Sequence, residues 1–269
     1  MSGAATGSSS GRTRLDEALV AAGLAETRSK ARALILAGDV RVNGAKIDRA
    51  GAPVRPADTL ELADKHRFAS RGGEKLDAAL AAFDIEVRGQ VAADFGASTG
   101  GFTDCLLQRG ATKVYALDVG YGQLVERVRT DPRVVVLDRT NVRHLEALPE
   151  PVDLVTVDVS FISLGLVLPA AARVLRPEGT CVPLVKPQFE AGRRDIGKGG
   201  VVRDAAVHER VLRQALEAAR TEGFGALGLI ASPLLGPAGN REFLAHLVLG
   251  AVGASDDALV AAALGEVCE

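Results

Sequence analysis

The stretch Val91-Ala-Ala-Asp-Phe-Gly-Ala-Ser-Thr-Gly-Gly-Phe102 decides the fold. Its apolar first half predicts a buried strand over 91–94, and its glycine-rich second half predicts a loop at the carboxyl end of that strand. Further strand-like runs alternate with helical stretches, which is typical of a doubly wound α/β sheet. Such folds bind ligands at this edge of the sheet, so we expect the glycine loop to bind one. The later strands are predicted at 113–118, 134–137, 154–158, 180–185, 227–231 and 243–249.

Two classes of cofactor compete for this glycine loop. A dinucleotide fingerprint requires Gly-x-Gly-x-x-Gly, and Ser98 stands where its middle glycine should be. An acidic residue in the strand before a looser glycine loop resembles the first motif of S-adenosylmethionine-dependent methyltransferases, and Asp94 holds that place. Asp118 ends the next strand, where both classes have an acid that accepts hydrogen bonds from ribose hydroxyls. Ser98 and the residues that follow favour S-adenosylmethionine.

The resemblance implies a set of cofactor-binding residues. The glycine loop would hold the methionine part, with Asp94 supporting the loop or the cofactor amine. The residues after the second strand would hold the ribose and the adenine. Asn141 follows the third strand and either bonds the adenine edge or forms an Asx turn. The expected cofactor-binding residues are Asp94, Gly96, Ser98, Gly100, Gly101, Asp118, Val119, Tyr121 and Asn141.

Four charged residues stand beside apolar runs or a turn. Lys186 ends the run Pro-Leu-Val-Lys, where a lysine is poorly placed for packing. Asp158 ends another run, Glu242 begins a third, and Lys75 follows the turn signal Arg-Gly-Gly-Glu. The doubly wound topology brings three of these strand edges together, and Lys75 arrives from the helix before the first strand. An isolated lysine or glutamate is more often in a surface ion pair, but four in these places predict a catalytic site.

The order Lys-Asp-Lys-Glu resembles the tetrad of the ribose 2′-O-methyltransferases related to the heat-shock rRNA methyltransferase FtsJ. In the mechanism that this resemblance implies, Lys186 accepts or steers the proton of the 2′-hydroxyl. Asp158 fixes the lysine ammoniums and orients Lys186, while Glu242 pairs with Lys75 or bonds the target ribose. The methyl group of the sulfonium is already activated, so orientation supplies much of the acceleration and no metal is required.

The amino-terminal part of the chain predicts a small basic α+β module. Residues 1–76 contain 13 Lys and Arg against 9 Asp and Glu. Apolar spacing predicts a helix that Gly23 ends, and a second helix from the N-cap Thr27 to Gly38. The dipeptide Asn43-Gly44 is a strong hairpin signal, and a further strand is predicted at 59–62.

The segment from Thr27 to Gly44 resembles the alpha-L RNA-binding motif of a small-subunit ribosomal protein. Charge alone would favour an ordinary solvated helix face, but the ordered hairpin after the helix favours RNA binding. The loop 187–203 also carries a basic pair and is expected to be flexible and to close over RNA. The expected RNA-binding residues are Arg28, Lys30, Arg32, Arg41, Arg193 and Arg194.

Five sequence segments closely resemble the TlyA family. Its members join the same RNA module to an FtsJ-like domain, and they are rRNA cytidine 2′-O-methyltransferases that are often labelled hemolysins. The resemblance spans residues 14–250 and implies ribosomal RNA or ribosomal subunits as the partner. The segments are Ser70–Leu76, Asp94–Thr103, Asp118–Leu124, Asp158–Ser163 and Val185–Glu190.

The sequence predicts a Rossmann-like class I methyltransferase domain after the small module. The widely spaced cysteines suggest neither a disulfide framework nor a zinc site, and fit a reduced cytosol. No apolar run reaches the roughly 18 residues of a membrane helix, and the start lacks the core of a signal peptide, so we expect a cytoplasmic protein. The predicted segments are a flexible tail (1–11), the RNA module (12–64), a linker (65–72), the methyltransferase domain (73–253) and a carboxyl-terminal helix (254–269).

Two other classes of function remain open from the sequence. A membrane-active hemolysin would need a membrane-binding element, for which only the amphipathic stretch 257–267 is a candidate. A non-catalytic ribosome-assembly factor would keep the fold without the reaction. Among the phenylalanines near the predicted site, we expect Phe102, Phe161 and Phe243 to pack in the core and Phe189 to lie in a loop.

Overall fold

The computed structural model of the chain describes residues 12–37, 39–62, 67–197, 199–236 and 238–265. Two compact units divide the chain, residues 1–66 and residues 67–269. The predicted tail, the predicted helix end at Gly38 and the final residues 266–269 lie outside the described residues.

The described residues of the smaller unit, 12–37 and 39–62, contain two helices and short antiparallel strands. Strands β3, β2 and β5 form one sheet in that order, and β1 pairs with β4. Short two-residue strands have almost no sequence signal, so the pair β1 and β4 was not predicted. The elements are β1 (Thr13–Arg14), α1 (Leu15–Ala21), α2 (Arg28–Ala37), β2 (Val40–Val42), β3 (Ala45–Lys46), β4 (Pro53–Val54) and β5 (Leu60–Leu62).

Local interactions fix the helix start and the hairpin of this unit. The Thr27 hydroxyl accepts a hydrogen bond from the Lys30 amide at 3.2 Å, which caps α2 as predicted. Asn43 and Gly44 have φ angles of 52° and 77°, the left-handed pair that a tight two-residue hairpin requires. Apolar side chains of both helices and of β2 and β4 then form one small core.

The larger unit alternates strands and helices. Short 3₁₀ turns lie between some of these elements: Val142–His144 after β8, Leu164–Leu166 after β9, and Arg193–Asp195 after α7. Its elements are α3 (Gly72–Ala82), β6 (Val91–Phe95), α4 (Gly101–Gln108), β7 (Lys113–Leu117), α5 (Glu126–Arg129), β8 (Val134–Leu137), β9 (Val152–Val157), α6 (Leu168–Val174), β10 (Leu175–Val185), α7 (Pro187–Glu190), α8 (Ala205–Thr221), β11 (Phe224–Ala231), β12 (Phe243–Leu249) and α9 (Asp256–Gly265).

One seven-stranded sheet organises this unit, in the order β11-β12-β10-β9-β6-β7-β8. Strands β10, β9, β6, β7 and β8 are parallel, and β12 runs antiparallel to both of its neighbours. The chain leaves β6 toward β7 on one side and returns to β9 on the other, so the strand order reverses between β6 and β9. The predicted doubly wound sheet is confirmed, and this reversal marks the edge where such folds bind ligands.

Both faces of the sheet are covered by helices. Along β6, Ala92 packs on the side of α3 and α4, whereas Ala93 and Phe95 pack on the side of α6, α8 and α9. Alternation of this kind follows from the two-residue period of a strand. Because both faces are buried, the central strands read as continuous apolar runs.

Two strands begin earlier than the sequence predicts. Strand β10 starts at Leu175, but the register shifts between Leu175 and Thr180, and Glu178 has a φ of 61°. Strand β11 starts at Phe224 and shifts register between Ala226 and Gly228. Each irregular segment contains polar residues or glycine that hide a strand in the sequence.

The carboxyl-terminal helix packs on the larger unit. Helix α9 buries Val260 and Ala263 in the core that lies under α6 and α8. Asp256, in the first turn of α9, forms an ion pair with Arg220 of α8. The apolar side of the stretch 257–267 therefore has a partner within this unit, as far as the structure describes it. Of the described helices, none has the length and apolar character needed to cross a membrane.

Phe68 provides a test of where the larger unit begins. It lies inside the predicted linker, yet it is buried in the core together with Leu76 and Phe102. Replacing Phe68 by alanine should lower the free energy of unfolding by about 3–5 kcal/mol, because a large cavity opens. Urea denaturation followed by circular dichroism measures this change. Val252→Ala, at a side chain that is 93% exposed, is the control and should change it by less than about 0.5 kcal/mol; equal effects would contradict the assignment.

Candidate active site

The sheet brings the four predicted charged residues to one edge. Asp158 directly follows β9 and Lys186 directly follows β10. Glu242 precedes β12, and Val185 pairs with Phe243, so the antiparallel register sets Glu242 opposite Lys186. Lys75 comes from the first turn of α3. Residues from four distant segments therefore meet because β10 lies between β9 and β12.

The four charges form two ion pairs. Lys186 Nζ lies 2.6 Å from Asp158 Oδ1, and it also donates a hydrogen bond to Ser160 Oγ at 3.0 Å. Lys75 Nζ pairs with Glu242 Oε2. The sequence predicted that Glu242 either pairs with Lys75 or bonds the target ribose, and the structure shows the pair with Lys75. In the described contacts Asp158 binds Lys186, while Lys75 is held by Glu242.

These pairs lie mostly out of water. Lys75 and Glu242 are 7% and 2% exposed, and Lys186 is 9% exposed. Burial raises the pKa of the Asp158 carboxyl above its usual range, although the ammoniums of Lys186 and Lys75 oppose this shift. Two cations and two carboxylates make the group electrically neutral, which allows it to be buried.

Residues that the sequence did not single out support Glu242. Gln188 Nε2 donates to Glu242 Oε1 at 3.4 Å. A Cβ atom at Gly236 would overlap the Glu242 carboxylate, so the turn beside it must remain without a side chain. Asn240 is buried and binds Val202 N and Gly200 O, which ties the loop after α7 to this turn. Gln188 follows Lys186 by two residues within the family-like segment Val185–Glu190, and this was the sequence signal for it.

The glycine loop touches the edge of the sheet that carries the four charged residues. Gly96 has a φ of 86°, and a Cβ atom there would come within 2.7 Å of the Asp158 carbonyl oxygen. Gly100 has a φ of 95° and is the N-cap residue of α4, which begins at Gly101. Ser98 also has a positive φ, 47°, in place of the glycine of a dinucleotide fingerprint. The loop can therefore lie this close to β9 only with glycine at position 96.

Asp94 lies beneath the glycine loop. Its side chain is fully buried, and its two oxygens accept hydrogen bonds from Thr103 Oγ1 at 2.7 Å and Thr156 Oγ1 at 3.1 Å. Burial raises the pKa of Asp94 to about 7, and the nearby Asp158 carboxylate adds to the shift while the two hydroxyls oppose it. This position fits the support of the loop. Its binding to a cofactor amine stays a prediction.

Asp118 is exposed enough to bind a ligand at the end of β7. Its carboxylate accepts hydrogen bonds from Ser98 N at 2.8 Å and Gly120 N at 2.7 Å. A carboxylate has about four acceptor positions, so two remain for hydroxyls. Val119 and Tyr121 are 70% and 71% exposed beside it, and the Arg139 guanidinium lies 4.6 Å from the Tyr121 ring centre. Exposed apolar side chains next to a free acceptor fit the adenosine part of S-adenosylmethionine.

Asn141 forms the Asx turn that the sequence offered as one of two interpretations. Its side-chain oxygen accepts a hydrogen bond from Arg143 N at 3.1 Å and caps the 3₁₀ turn Val142–His144. A contact with the adenine edge stays a prediction. No group of three or more His, Cys, Asp and Glu residues within the described ranges could hold a metal ion.

Four of the predicted RNA-binding residues lie in the smaller unit, where they do not all share one partner. Arg28 and Arg32 converge on the Asp16 carboxylate, which the sequence did not single out. Lys30 pairs with Glu26 at 2.6 Å, and Arg41 donates to the Gly44 carbonyl at 3.1 Å.

The loop after α7 carries the other predicted basic residues. Glu190 Oε2 accepts a hydrogen bond from Ser163 Oγ at 2.7 Å, and Asp195 pairs with Arg210. The predicted loop thus contains a short helix and several anchoring contacts. Arg194 is exposed, whereas the side chain of Arg193 lies outside the described residues. Binding of RNA by this pair stays a prediction.

A seven-stranded sheet of this order, with a glycine loop after β6 and Asp118 after β7, fits the fold of an S-adenosylmethionine-dependent methyltransferase. Residues 68–249 match the FtsJ-like methyltransferase family, and residues 13–60 match the S4 domain. The chain is 48% identical over 240 residues to the 16S/23S rRNA (cytidine-2′-O)-methyltransferase TlyA of Mycobacterium tuberculosis, covering 88% of this chain and 90% of that protein. The chain belongs to the TlyA family of FtsJ-like methyltransferases, as the sequence predicted.

Two further comparisons agree in fold and extent. Hemolysin A of Brachyspira hyodysenteriae is 43% identical over 239 residues, which cover 88% of this chain and 100% of that protein. The solved structure of a hemolysin-named protein of Streptococcus thermophilus superimposes with a TM-score of 0.73 at 42% identity, covering 96% of this chain and 98% of that one. The similarity therefore includes both units of the chain.

The raised pKa of Asp94 predicts a pH-dependent stability. An aspartate in an unfolded chain titrates near 3.9, so between about pH 4 and 7 the folded protein keeps a proton that the unfolded chain releases. The free energy of unfolding should therefore fall as pH rises through this window. Asp94→Asn cannot titrate and should flatten the profile by an amount on the order of a few kcal/mol.

Thermal and urea unfolding between pH 4.5 and 8 measure this difference. Asp84→Asn is the matched control, because Asp84 is exposed in a turn with a left-handed φ of 53° that asparagine tolerates. Profiles of wild type and Asp94→Asn that stay parallel would show that Asp94 is ionised in the folded protein throughout.

Proposed function

We propose that this chain transfers a methyl group from S-adenosylmethionine to the ribose 2′-hydroxyl of a cytidine in ribosomal RNA. The observation that carries the proposal is the neutral pair of ion pairs beside the glycine loop, with Lys186 held by Asp158 and Ser160. The relative from Mycobacterium tuberculosis is named for this reaction on rRNA cytidine. We place the reaction in the cytoplasm, where ribosomes are found.

The chemistry requires orientation and the removal of one proton. When bound, S-adenosylmethionine supplies an activated sulfonium methyl. A ribose hydroxyl is a weak nucleophile, so the protein must hold it in line with that methyl. Lys186 Nζ is an ammonium while it is paired with Asp158. We assign this nitrogen, once it has released one proton to water, to take the hydroxyl proton as the oxygen gains the methyl group. Asp158 orients Lys186 and stabilises the ammonium that results.

The second ion pair supports the acceptor ribose. Glu242 holds Lys75 in place, so the Lys75 ammonium adds positive charge beside the oxygen from which a proton leaves. Gln188 Oε1 is buried, and it has no hydrogen-bond partner within the described part of the chain. A ribose hydroxyl would satisfy this acceptor. Gln188 is therefore our candidate for fixing the sugar next to Glu242.

An exposed aromatic pair lies beside Lys186. Phe161 is 90% exposed and has a φ of 64°, and its ring centre lies 4.8 Å from that of Phe189. Lys186 Nζ lies 5.8 Å from the centre of the Phe189 ring. The expectation that Phe161 packs in the core was wrong, whereas Phe102 and Phe243 are buried as expected. We propose that the target base stacks on Phe161, because an exposed ring is a face on which any base can stack.

The S4 domain would bind the RNA that carries the target. Its match covers residues 13–60, and its basic residues Arg28 and Arg32 are half exposed. Phosphate contacts fix the register of a protein on RNA, while the target base is read at the active site. We therefore assign docking to the S4 domain and methyl transfer to the FtsJ-like domain.

Lys186→Ala tests the reaction. We expect methyl transfer to fall by about 10²–10⁴-fold, the contribution of a positioned acid–base group. Labelled S-adenosylmethionine is incubated with each ribosomal subunit purified from cells that lack the protein, and the labelled nucleotide is mapped. Lys113→Ala is the matched control and should keep full activity. Lys113 lies at the start of β7, at the opposite edge of the sheet from Lys186, and pairs there with Glu150.

Three outcomes separate the functions. Label on a cytidine 2′-oxygen that Lys186→Ala abolishes supports the enzyme. No label from the wild type, despite binding to the subunits, would favour the ribosome-assembly factor instead. Label on DNA of the same sequence would overturn the 2′-hydroxyl as the acceptor.

Phe161→Ala tests the stacking of the base. The loss of one stacked base, worth about 1–3 kcal/mol, should lower kcat/KM for the subunit by about 5- to 150-fold. Phe161→Tyr keeps the ring and should retain activity, and the affinity for S-adenosylmethionine should not change in either variant. If Phe161→Ala and Phe161→Tyr have the same kcat/KM, the ring does not contact the target.

A further inference from the structure

Asp16 is a buried carboxylate at the centre of three arginines. It lies in the first turn of α1, and its side chain is 0% exposed. Arg14 comes from β1, whereas Arg28 and Arg32 lie four residues apart on α2. Four hydrogen bonds join them: Arg14 Nε to Oδ1 at 3.0 Å, and Arg14 Nη2, Arg28 Nη2 and Arg32 Nε to Oδ2 at 3.1, 3.2 and 3.1 Å.

The carboxylate stays ionised because of its partners. The guanidinium of Arg14, and after it those of Arg32 and Arg28, hold the pKa of Asp16 well below its usual range, although burial opposes them. The cluster therefore keeps its charges over the physiological pH range. An intact buried ion pair contributes little net stability, so stability alone does not account for Asp16.

The arginines are anchored on one side and free on the other. Their side chains are 46%, 50% and 54% exposed for Arg14, Arg28 and Arg32. A guanidinium has five N–H donors, and the bonds to Asp16 and from Arg28 to Glu17 use only part of them. Because each side chain is about half accessible to water, we expect its remaining donors to be open to a ligand. Three positive charges against the carboxylates of Asp16 and Glu17 leave this group with a net positive charge.

We propose that Asp16 is a positioning residue for RNA, which holds Arg14, Arg28 and Arg32 as one preformed phosphate-binding group. The inference rests on the proposed function and extends it to a residue that does not touch the ligand. Three free guanidiniums would repel one another and rotate independently, and each would have to be ordered on binding. Asp16 removes that cost before the RNA arrives and fixes the spacing of the donors.

The decisive variant is Asp16→Asn in the full-length protein. Removing a negative charge should tighten binding to a polyanion if only net charge matters. If Asp16 positions the arginines, Asp16→Asn should instead raise the Kd for purified ribosomal subunits by about tenfold. The slope of log Kd against log salt should fall by an amount that corresponds to the loss of about one phosphate contact. Glu61→Gln makes the same charge change at an exposed position of β5 and should leave the Kd unchanged or lower.

A second pair of variants covers the case in which Asp16→Asn does not fold. Arg32→Lys keeps the charge but loses the planar Nε donor that bonds Asp16, so it should weaken binding severalfold. Arg55→Lys makes the same change at an exposed arginine outside the cluster and should have no effect. Circular dichroism and thermal unfolding establish which variants are folded.

The outcomes separate this inference from the proposed function. In methyl transfer, folded Asp16→Asn should raise KM for the subunit and leave kcat unchanged. Binding by folded Asp16→Asn as tight as by Glu61→Gln overturns the positioning role, as do equal effects of Arg32→Lys and Arg55→Lys, while methylation by the wild type would stand. Weaker subunit binding by Asp16→Asn without methyl transfer by any variant would sink the proposed reaction and keep the positioning role.

Discussion

The mutual neutralisation of Lys75, Asp158, Lys186 and Glu242 is the constraint on which the larger unit depends. Taking one of these charges out of water without a partner would cost several kcal/mol. Each partner comes from a different segment, so the cost is avoided only when β9, β10, β12 and α3 are all in place. The sheet order matters more than any single residue, because it sets Lys186 between two carboxylates.

The glycine loop and the segment that carries Asp158 form one structure. Gly96 lies against the Asp158 carbonyl, and Asp94 below it binds Thr156 of β9. A change on the cofactor side of the loop therefore reaches Asp158 through backbone and buried hydrogen bonds. This contact explains why a side chain cannot be accommodated at position 96, although the sequence pattern required only a loose run of glycines.

The strands and the site-bearing ends could be predicted because buried parallel strands leave continuous apolar runs that end in polar residues. Lys186 and Asp158 were conspicuous for that reason. The choice of partner for Glu242 could not be predicted, since it depends on how far each side chain reaches across the edge. Phe161 was expected in the core, but it has a left-handed backbone and its side chain is exposed. Asp16 gave no signal, because two of its three arginine partners lie 12 and 16 residues away and only the fold brings them to it.

The distance along the chain between Lys75 and Glu242, 167 residues, has a consequence for synthesis on the ribosome. Domains generally fold in the order in which they are made, so the S4 domain can fold while β12 has not yet been translated. Until β12 pairs with β10, Lys75 lacks the carboxylate that neutralises it. If the S4 domain docks the RNA as proposed, the nascent chain would recognise RNA before it could modify it.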